Sequence, residues 1–511
     1  MFKIKIKSFR NIATAIIIIL MLFIQSCTQK NEEPEEKILV KIGKGTISVD
    51  EFIRRAEYTV RPPYCRGNQN LDKKVIINSL IAEKLMSIEA TDTNSFITNE
   101  RIQGYLRGRK EQAMRLWLYE KEAREKVQLD SAKIWNTVRV AGRRYKISYF
   151  SIPDSIFARE VNNEIRDKNQ SFEEVFSDFI GSDSLPKREV EWSSQEEDKI
   201  LDSLYSKPLL KNQVVGPVKI SNDHYIMMKI NGWIDRVALT ENQVQERWRN
   251  VSDEFKQRKA VKLYDQLIFK VMKGKSIEFM PDVFYKITNL LGPIYIQTDS
   301  EKKKSLNNSF WNKDNDIEKY QDVQSQIETL YQEPFFKVND QIWTVKDFVD
   351  ELNAHPLVFR KDRMANKEFG QQLQFAIMDM IRDKYLAKLA YERGYDKINV
   401  IQRNVNMWKD NVNYQYYKHN YLRGILPDTT KEMDYIPLIE DYLNPQVDSL
   451  QKKYSDQIEV DVQAFNDIEL TRIDMSVTQS NVPFPKVVPS FPLVTTDNKL
   501  DYGRKMQKEE N

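Results

Sequence analysis

The chain has 511 residues, of which 41% are hydrophobic and 30% charged, with a formal net charge of +3. At about 150 residues per domain, this length predicts roughly three domains, and the charge content excludes a multi-span membrane protein. Fifteen glycines, three histidines (His224, His355, His419) and two cysteines (Cys27, Cys65) supply no glycine-rich phosphate loop, no zinc-type spacing and no serine-hydrolase elbow, so no cofactor or metal is expected.

In chain order, residues 1–26 read as a signal segment. Lys3, Lys5, Lys7 and Arg10 precede the apolar run Ile12 to Ile24, which is too short to span a hydrocarbon core of ~30 Å as a mature helix. The sequence Ile24-Gln25-Ser26-Cys27 resembles the lipobox of bacterial lipoproteins, which makes Cys27 the expected lipid attachment point; an uncleaved anchor helix is the alternative. The resemblance implies an envelope protein lipid-anchored to a membrane, with the outer membrane facing the periplasm as the expected place and surface display as the other. Residues 27–37, polar and charged with Pro34, read as a tether. Without the signal segment 74 basic residues face 75 acidic ones, which removes a global electrostatic case for nucleic acid. The basic run Arg101 to Arg115 reads as a solvated helix face.

An internal repeat follows. Ile38 to Phe52 (ILVKIGKGTISVDEF) matches Pro334 to Phe348 (PFFKVNDQIWTVKDF) at an offset of 296, each predicting two short strands, a tight turn and a helix start. Ser48-x-x-Glu51 is a capping box, and Thr344-x-x-Asp347 its weaker equivalent. At an offset of 300, Leu80 to Leu85 matches Met380 to Tyr385, with helical spacing of the apolar positions in both. A hairpin, a short helix, an "LI-x-(E/D)-K-L" helix and a long charged helix resemble the N-terminal chaperone segment of SurA- and PrsA-like periplasmic foldases. That resemblance implies modules that hold unfolded client chains, at residues 38–140 and 333–426.

Between the copies, residues 141–236 resemble a parvulin-type peptidyl-prolyl isomerase domain. Tyr145 to Ile152 alternates like its first strand, Ser171-Phe-Glu-Glu-Val-Phe176 matches its second helix, and Tyr225 to Ile230 its closing strand. The active-site positions depart from that family. Tyr149 stands where a first-strand histidine is expected and Ile226 where the last-strand one is, and Lys187, Arg188 and Glu191 replace loop glycines, leaving Trp192. Rotation about an X-Pro bond crosses ~18–20 kcal/mol and needs a ring pocket with polar groups around the twisting amide. The candidate substitutes are Ser148, Tyr149, Trp192 and His224, with an exposed turn histidine and packed aromatics as the plain readings.

Residues 237–332 read as a helical connector, with one long helix from Thr240 to about Lys273, and a linker. Residues 427–481 read as a helix and a strand, and residues 482–511, containing Pro, Thr and Lys, as a disordered tail. In the helices, Trp117, Trp408, Tyr414, Tyr417 and Tyr421 are the candidate client-binding aromatics, core packing being the plain reading. The expected fold is α+β and mostly helical, with two SurA N-terminal-like modules flanking a parvulin-like domain. The expected function is an envelope chaperone for unfolded or partly folded envelope proteins that has lost efficient catalysis. An active isomerase with a substituted site and an envelope scaffold or secretion accessory are the alternatives.

Overall fold

The structure is a computed structural model that describes residues 36–67, 69–91, 94–181, 184–221, 224–296, 317–426, 434–471 and 475–506. The signal segment, Cys27 and most of the tether and linker lie outside these residues. The protein is α+β and mostly helical, in two units. Residues 1–115 with 274–511 form the larger and 116–273 the smaller.

The larger unit contains the duplicated module. Its first copy has strands β1 (Ile38–Ile42) and β2 (Gly45–Ser48), then helices α1 (Val49–Glu57), α2 (Gln69–Ala90) and α3 (Glu100–Tyr119), the last crossing into the smaller unit. The smaller unit contributes α4 (Ser131–Val138), β3 (Arg143–Ile152), α5 (Ser155–Arg166), α6 (Phe172–Ile180), β4 (Lys187–Val190), α7 (Asp198–Tyr205), β5 (Val214–Ser221), β6 (His224–Asp235) and α8 (Glu241–Met272). The larger unit resumes with β7 (Ile277–Phe279), α9 (Pro281–Tyr295) and α10 (Ile317–Glu328). The second copy is β8 (Pro334–Val338), β9 (Gln341–Thr344), α11 (Val345–Ala354), α12 (Asn366–Glu392) and α13 (Asn399–Ile425). The chain closes with α14 (Asn444–Lys453), β10 (Ile458–Val460), the short α15 (Val462–Asp467) and β11 (Arg504–Lys505).

Both hairpins keep one register. Val40 faces Ile47 and Ile42 faces Gly45; 296 residues later Phe336 faces Trp343 and Val338 faces Gln341, and both ladders slip after their first residue. The turn needs a left-handed residue, which Gly43 (φ 56°) and Asn339 (φ 54°) supply, the two types that tolerate it best. The caps reverse the order expected from sequence. Thr344 and Asp347 cap reciprocally, whereas Ser48 accepts from the Glu51 N–H at 3.0 Å while the Glu51 carboxylate pairs with Lys84 at 3.4 Å.

Each hairpin is completed by a third strand brought from elsewhere. β7 pairs antiparallel with β8, and β10 pairs in the same register with β1, so that Phe279 opposes Phe336 as Val460 opposes Val40. The flanking bonds also correspond: Met280 N–H donates to Phe335 O at 3.0 Å and Asp461 N–H to Leu39 O at 2.9 Å. The second copy's third strand therefore precedes it, and the first copy's comes from the far end of the chain.

The long helices are exchanged too. α13 of the second copy packs on α2 of the first, where Lys84 and Ser87 both bond Asp410 at 2.9 Å. Reciprocally, α3 lies on the second copy, with Arg107 against Glu351 and Arg115 against Asp383. This corrects the reading of Arg101 to Arg115 as a solvated face. Arg109 and Arg115 are buried because α3 fills a helix groove, and Gly104 and Gly108 let it approach so closely that a Cβ at Gly108 would fall 1.9 Å from Ala354 O. Within the core Arg55 pairs with Glu83 at 2.7 Å, each side chain 2% exposed.

The smaller unit is a four-stranded antiparallel sheet ordered β4-β3-β6-β5 with helices on both faces. Tyr145 and Ile147 pack on α7, while Phe150 and Ile152 pack on α5 and α6. α8 contributes Val251 and Phe255, which close a cluster with Ile134 and Val138 of α4.

Candidate functional site

The four isomerase-like candidates do not form one constellation. Ser148 and Tyr149 are consecutive in β3, so they face opposite sides of the sheet. Ser148 is buried and its hydroxyl accepts from the Asn231 amide at 2.8 Å. Tyr149 is half-buried on the α7 side, with the Arg188 guanidinium 4.4 Å from its ring centre. His224 is exposed at the tip of the β5–β6 hairpin opposite Ser221, four positions along β6 from Met228, the residue that pairs with Tyr149. At about 3.4 Å per residue that separation is on the order of 13 Å along the strand. Trp192 packs edge-on against Tyr205 and tilts against Phe255, below the Arg258 guanidinium. Lys187 to Val190, at the expected loop, form strand β4 on the edge of β3.

Trp192 also lines a cleft of about 590 Å³ between the start of β3, the segment after β4 and the first turns of α8. Several of its charges are paired. Arg144 bonds Glu191 at 2.5 Å, Arg236 bonds the same carboxylate at 3.3 Å, and Arg143 bonds Asp235 at 3.3 Å. Val237, one of its apolar lining residues, is exposed. Among the described residues, no three His, Cys, Asp or Glu side chains gather as a metal-holding group.

Of the five candidate client-binding aromatics, two are interior and three half-buried. Trp408 is buried, with Arg109 stacked 3.5 Å from its ring centre, and Tyr414 is fully buried. Burial pushes the Tyr414 phenol far above its ordinary range, so it stays protonated; it accepts from Lys418 at 2.9 Å and donates to Leu493 O. Tyr417 and Tyr421 are half-buried and stack on each other; Gln446 donates to the Tyr417 hydroxyl and Tyr421 donates to Tyr442 O. Trp117 is half-buried under Lys121. Tyr414 is therefore core packing and Tyr417 packs partly against the same core, so Trp408 and Tyr414 offer no surface to a client.

The feature that sequence reasoning missed is the C-terminal segment. Residues 482–506, read as part of a disordered tail, form with 475–481 an extended strap across the larger unit, with Phe484, Val488, Phe491 and Val494 buried. The larger unit holds this strap mainly by its backbone. Gln112 donates to Phe484 O at 2.9 Å and accepts from Phe484 N–H at 3.0 Å, Arg109 donates to Lys486 O at 2.8 Å, and Arg55 to Ser490 O at 3.2 Å. Fully buried Asn78 donates to both Asp497 O and Lys499 O at 2.8 Å, and the Tyr502 hydroxyl donates back to it at 2.6 Å. The strap ends as β11, parallel to β10, with Met506 N–H bonded to Val460 O. The signal was present in the run Val482-Pro-Phe-Pro-Lys-Val-Val-Pro-Ser-Phe-Pro-Leu-Val494, which carries aromatic and β-branched residues between the prolines. No family model matches the chain, and no curated protein matches it.

Proposed function

We propose that this protein is an envelope-tethered holder of unfolded or partly folded polypeptides, in which the doubled module and the smaller unit bind chain and the smaller unit has lost efficient isomerisation. The observation that carries this reading is the strap. A proline- and phenylalanine-rich extended segment lies in a groove of the larger unit, gripped through main-chain carbonyls and N–H groups by Gln112, Arg109, Arg55 and Asn78. Grips on the backbone do not depend on the side chains of what is held, which is the property a holder of diverse clients needs. The strand order of the smaller unit and its likeness in sequence to parvulins support a domain of isomerase descent. The dispersal of Ser148, Tyr149, Trp192 and His224 supports binding over catalysis.

The protein lacking residues 1–27 is expected to slow aggregation of a denatured client in the absence of ATP, at a few-fold molar excess. It is also expected to leave a proline-limited refolding rate unchanged at sub-stoichiometric amounts. No protection at any ratio sinks the reading, and catalytic acceleration of refolding replaces it with the enzyme.

A further inference from the structure

The second half of the larger unit repeats the geometry that receives the strap, and there the receiving edge stays open. In the first half β11 lies along the outer edge of β10, and Ile458 and Val460 are buried beneath it. β7 is the counterpart of β10: Ile277-Glu-Phe279 holds the places of Ile458-Glu-Val460 in the same register. Among the described residues β7 pairs only with β8, and Ile277 and Phe279 are half-exposed. Ser276 O and Met280 N–H bond towards the β8 hairpin, so by strand alternation the main-chain groups of Ile277 and Phe279 point away from it. Val460 O points the same way in the first half, where it accepts from Met506 N–H.

Beside this edge lies an apolar groove of about 420 Å³ between α9 and α12, lined by Phe279, Phe284, Tyr285, Thr288, Gly370 and Gln374. Tyr285 is 68% exposed at its rim. One turn further along α12, Met378 is 43% exposed at the position corresponding to Asn78, the residue that grips the strap in the first half.

We propose that this groove and the outer edge of β7 bind an extended polypeptide segment in trans, one with apolar and aromatic side chains, which adds a parallel strand to β7 as β11 adds to β10. The extended form of the occupant is read from the last stretch of the strap, Asp497 to Met506, which fills the equivalent place in the other half with Leu500 and Tyr502 against the core. The groove's apolar lining, with Met378 in place of an amide, selects for apolar side chains more than the first half does. The inference rests on the reading of the protein as a polypeptide holder and names where one segment lies.

The test uses the full chain and a fluorescent synthetic peptide with the sequence of Val482 to Met506. The peptide is expected to bind and to slow amide exchange of Ile277 and Phe279. Gly370→Trp, which fills the groove from a helix position where a Cβ meets only Thr288 at 3.6 Å, is expected to weaken binding at least tenfold. Tyr285→Ser, a change at an exposed rim position, is expected to weaken it about threefold to tenfold without affecting the fold. Binding that neither variant weakens, or that leaves β7 exchange unchanged, overturns the site. No peptide binding alongside intact protection of a denatured client also overturns the site while leaving the holder reading in place. Loss of both removes the two together. A concentration-dependent dimer that disappears when residues 482–511 are removed assigns the groove to a second copy's strap and overturns the external segment.

Discussion

Asn78→Leu is expected to release the strap while leaving the helices it crosses in place. The amide is fully buried and makes three bonds with the strap: two donated to Asp497 O and Lys499 O and one accepted from the Tyr502 hydroxyl. Leucine has the same number and branching of side-chain heavy atoms and makes none of them. At about 1 kcal/mol net per bond the loss is about 3 kcal/mol, which raises the open population of the strap on the order of a hundredfold. Native-state trypsin cleavage after Lys499 and Arg504 reads that population directly when closing is faster than cutting. Cleavage is expected to accelerate by about that factor, while amide exchange in the core of α2 stays slow. A rise below about threefold refutes the assignment of Asn78 as the clasp. Cleavage of the unaltered protein at the rate of an unstructured peptide refutes the strap itself and restores the reading of residues 482–511 as disordered.

The buried pair Arg55 and Glu83 predicts a strongly coupled cycle. Arg55→Met is expected to destabilise the larger unit by about 3–5 kcal/mol, and adding Glu83→Leu to recover most of it, measured by urea unfolding of single and double variants. Lys418, pushed down to about 8 by burial, carries a penalty that is full below that pH and fades as the solution approaches the unfolded value of about 10.4. The unfolded state binds more protons in that window, so stability rises with pH there. Lys418→Met is therefore expected to gain up to about 3 kcal/mol at pH 7 and nothing by about pH 10.5, as a midpoint series across pH will read. His224→Ala is expected to leave client protection and proline-limited refolding unchanged, since the ring stands exposed at a hairpin tip away from Tyr149.

The hairpins and long helices were legible because each carries its own local grammar. Gly43 and Asn339 mark the turns, Ser48 and Thr344 the caps, and the Leu80 and Met380 segments show helical spacing. Of the third strands, β10 was legible in the alternation of Gln457 to Val462, whereas β7 was not, because its three residues cannot display a period. Ser276-Ile-Glu-Phe and Gln457-Ile-Glu-Val are recognisable as a pair only with Phe284 and Phe465 following at the same distance. Proline count misled at the strap. In an apolar context proline presets an extended backbone and reduces the entropy lost on docking, so Pro483, Pro485, Pro489 and Pro492 favour a bound strap as much as a loose tail. The dispersal of the candidate catalytic set was already contained in the sequence. Ser148 and Tyr149 are adjacent in an alternating strand, and a period of two sends neighbours to opposite faces.

The exchange of third strands has a simple origin in chain distance. β7 lies about 57 residues from β8 but about 240 from β1. Closing the shorter loop is easier by about 1.3 kcal/mol, so β7 goes to the second hairpin even though the first offers the same edge. β10 is also nearer to β8 than to β1, but that edge is filled once β7 has paired, and the edge of β1 is what remains. β11 then joins the nearest open edge, that of β10, about 45 residues upstream. Each local pairing consumes an edge that would otherwise attract other chains. After all of them the outer side of β7 is left open beside an apolar groove, so the order of pairing that completes both halves also leaves one half with room for a strand that the described chain does not supply.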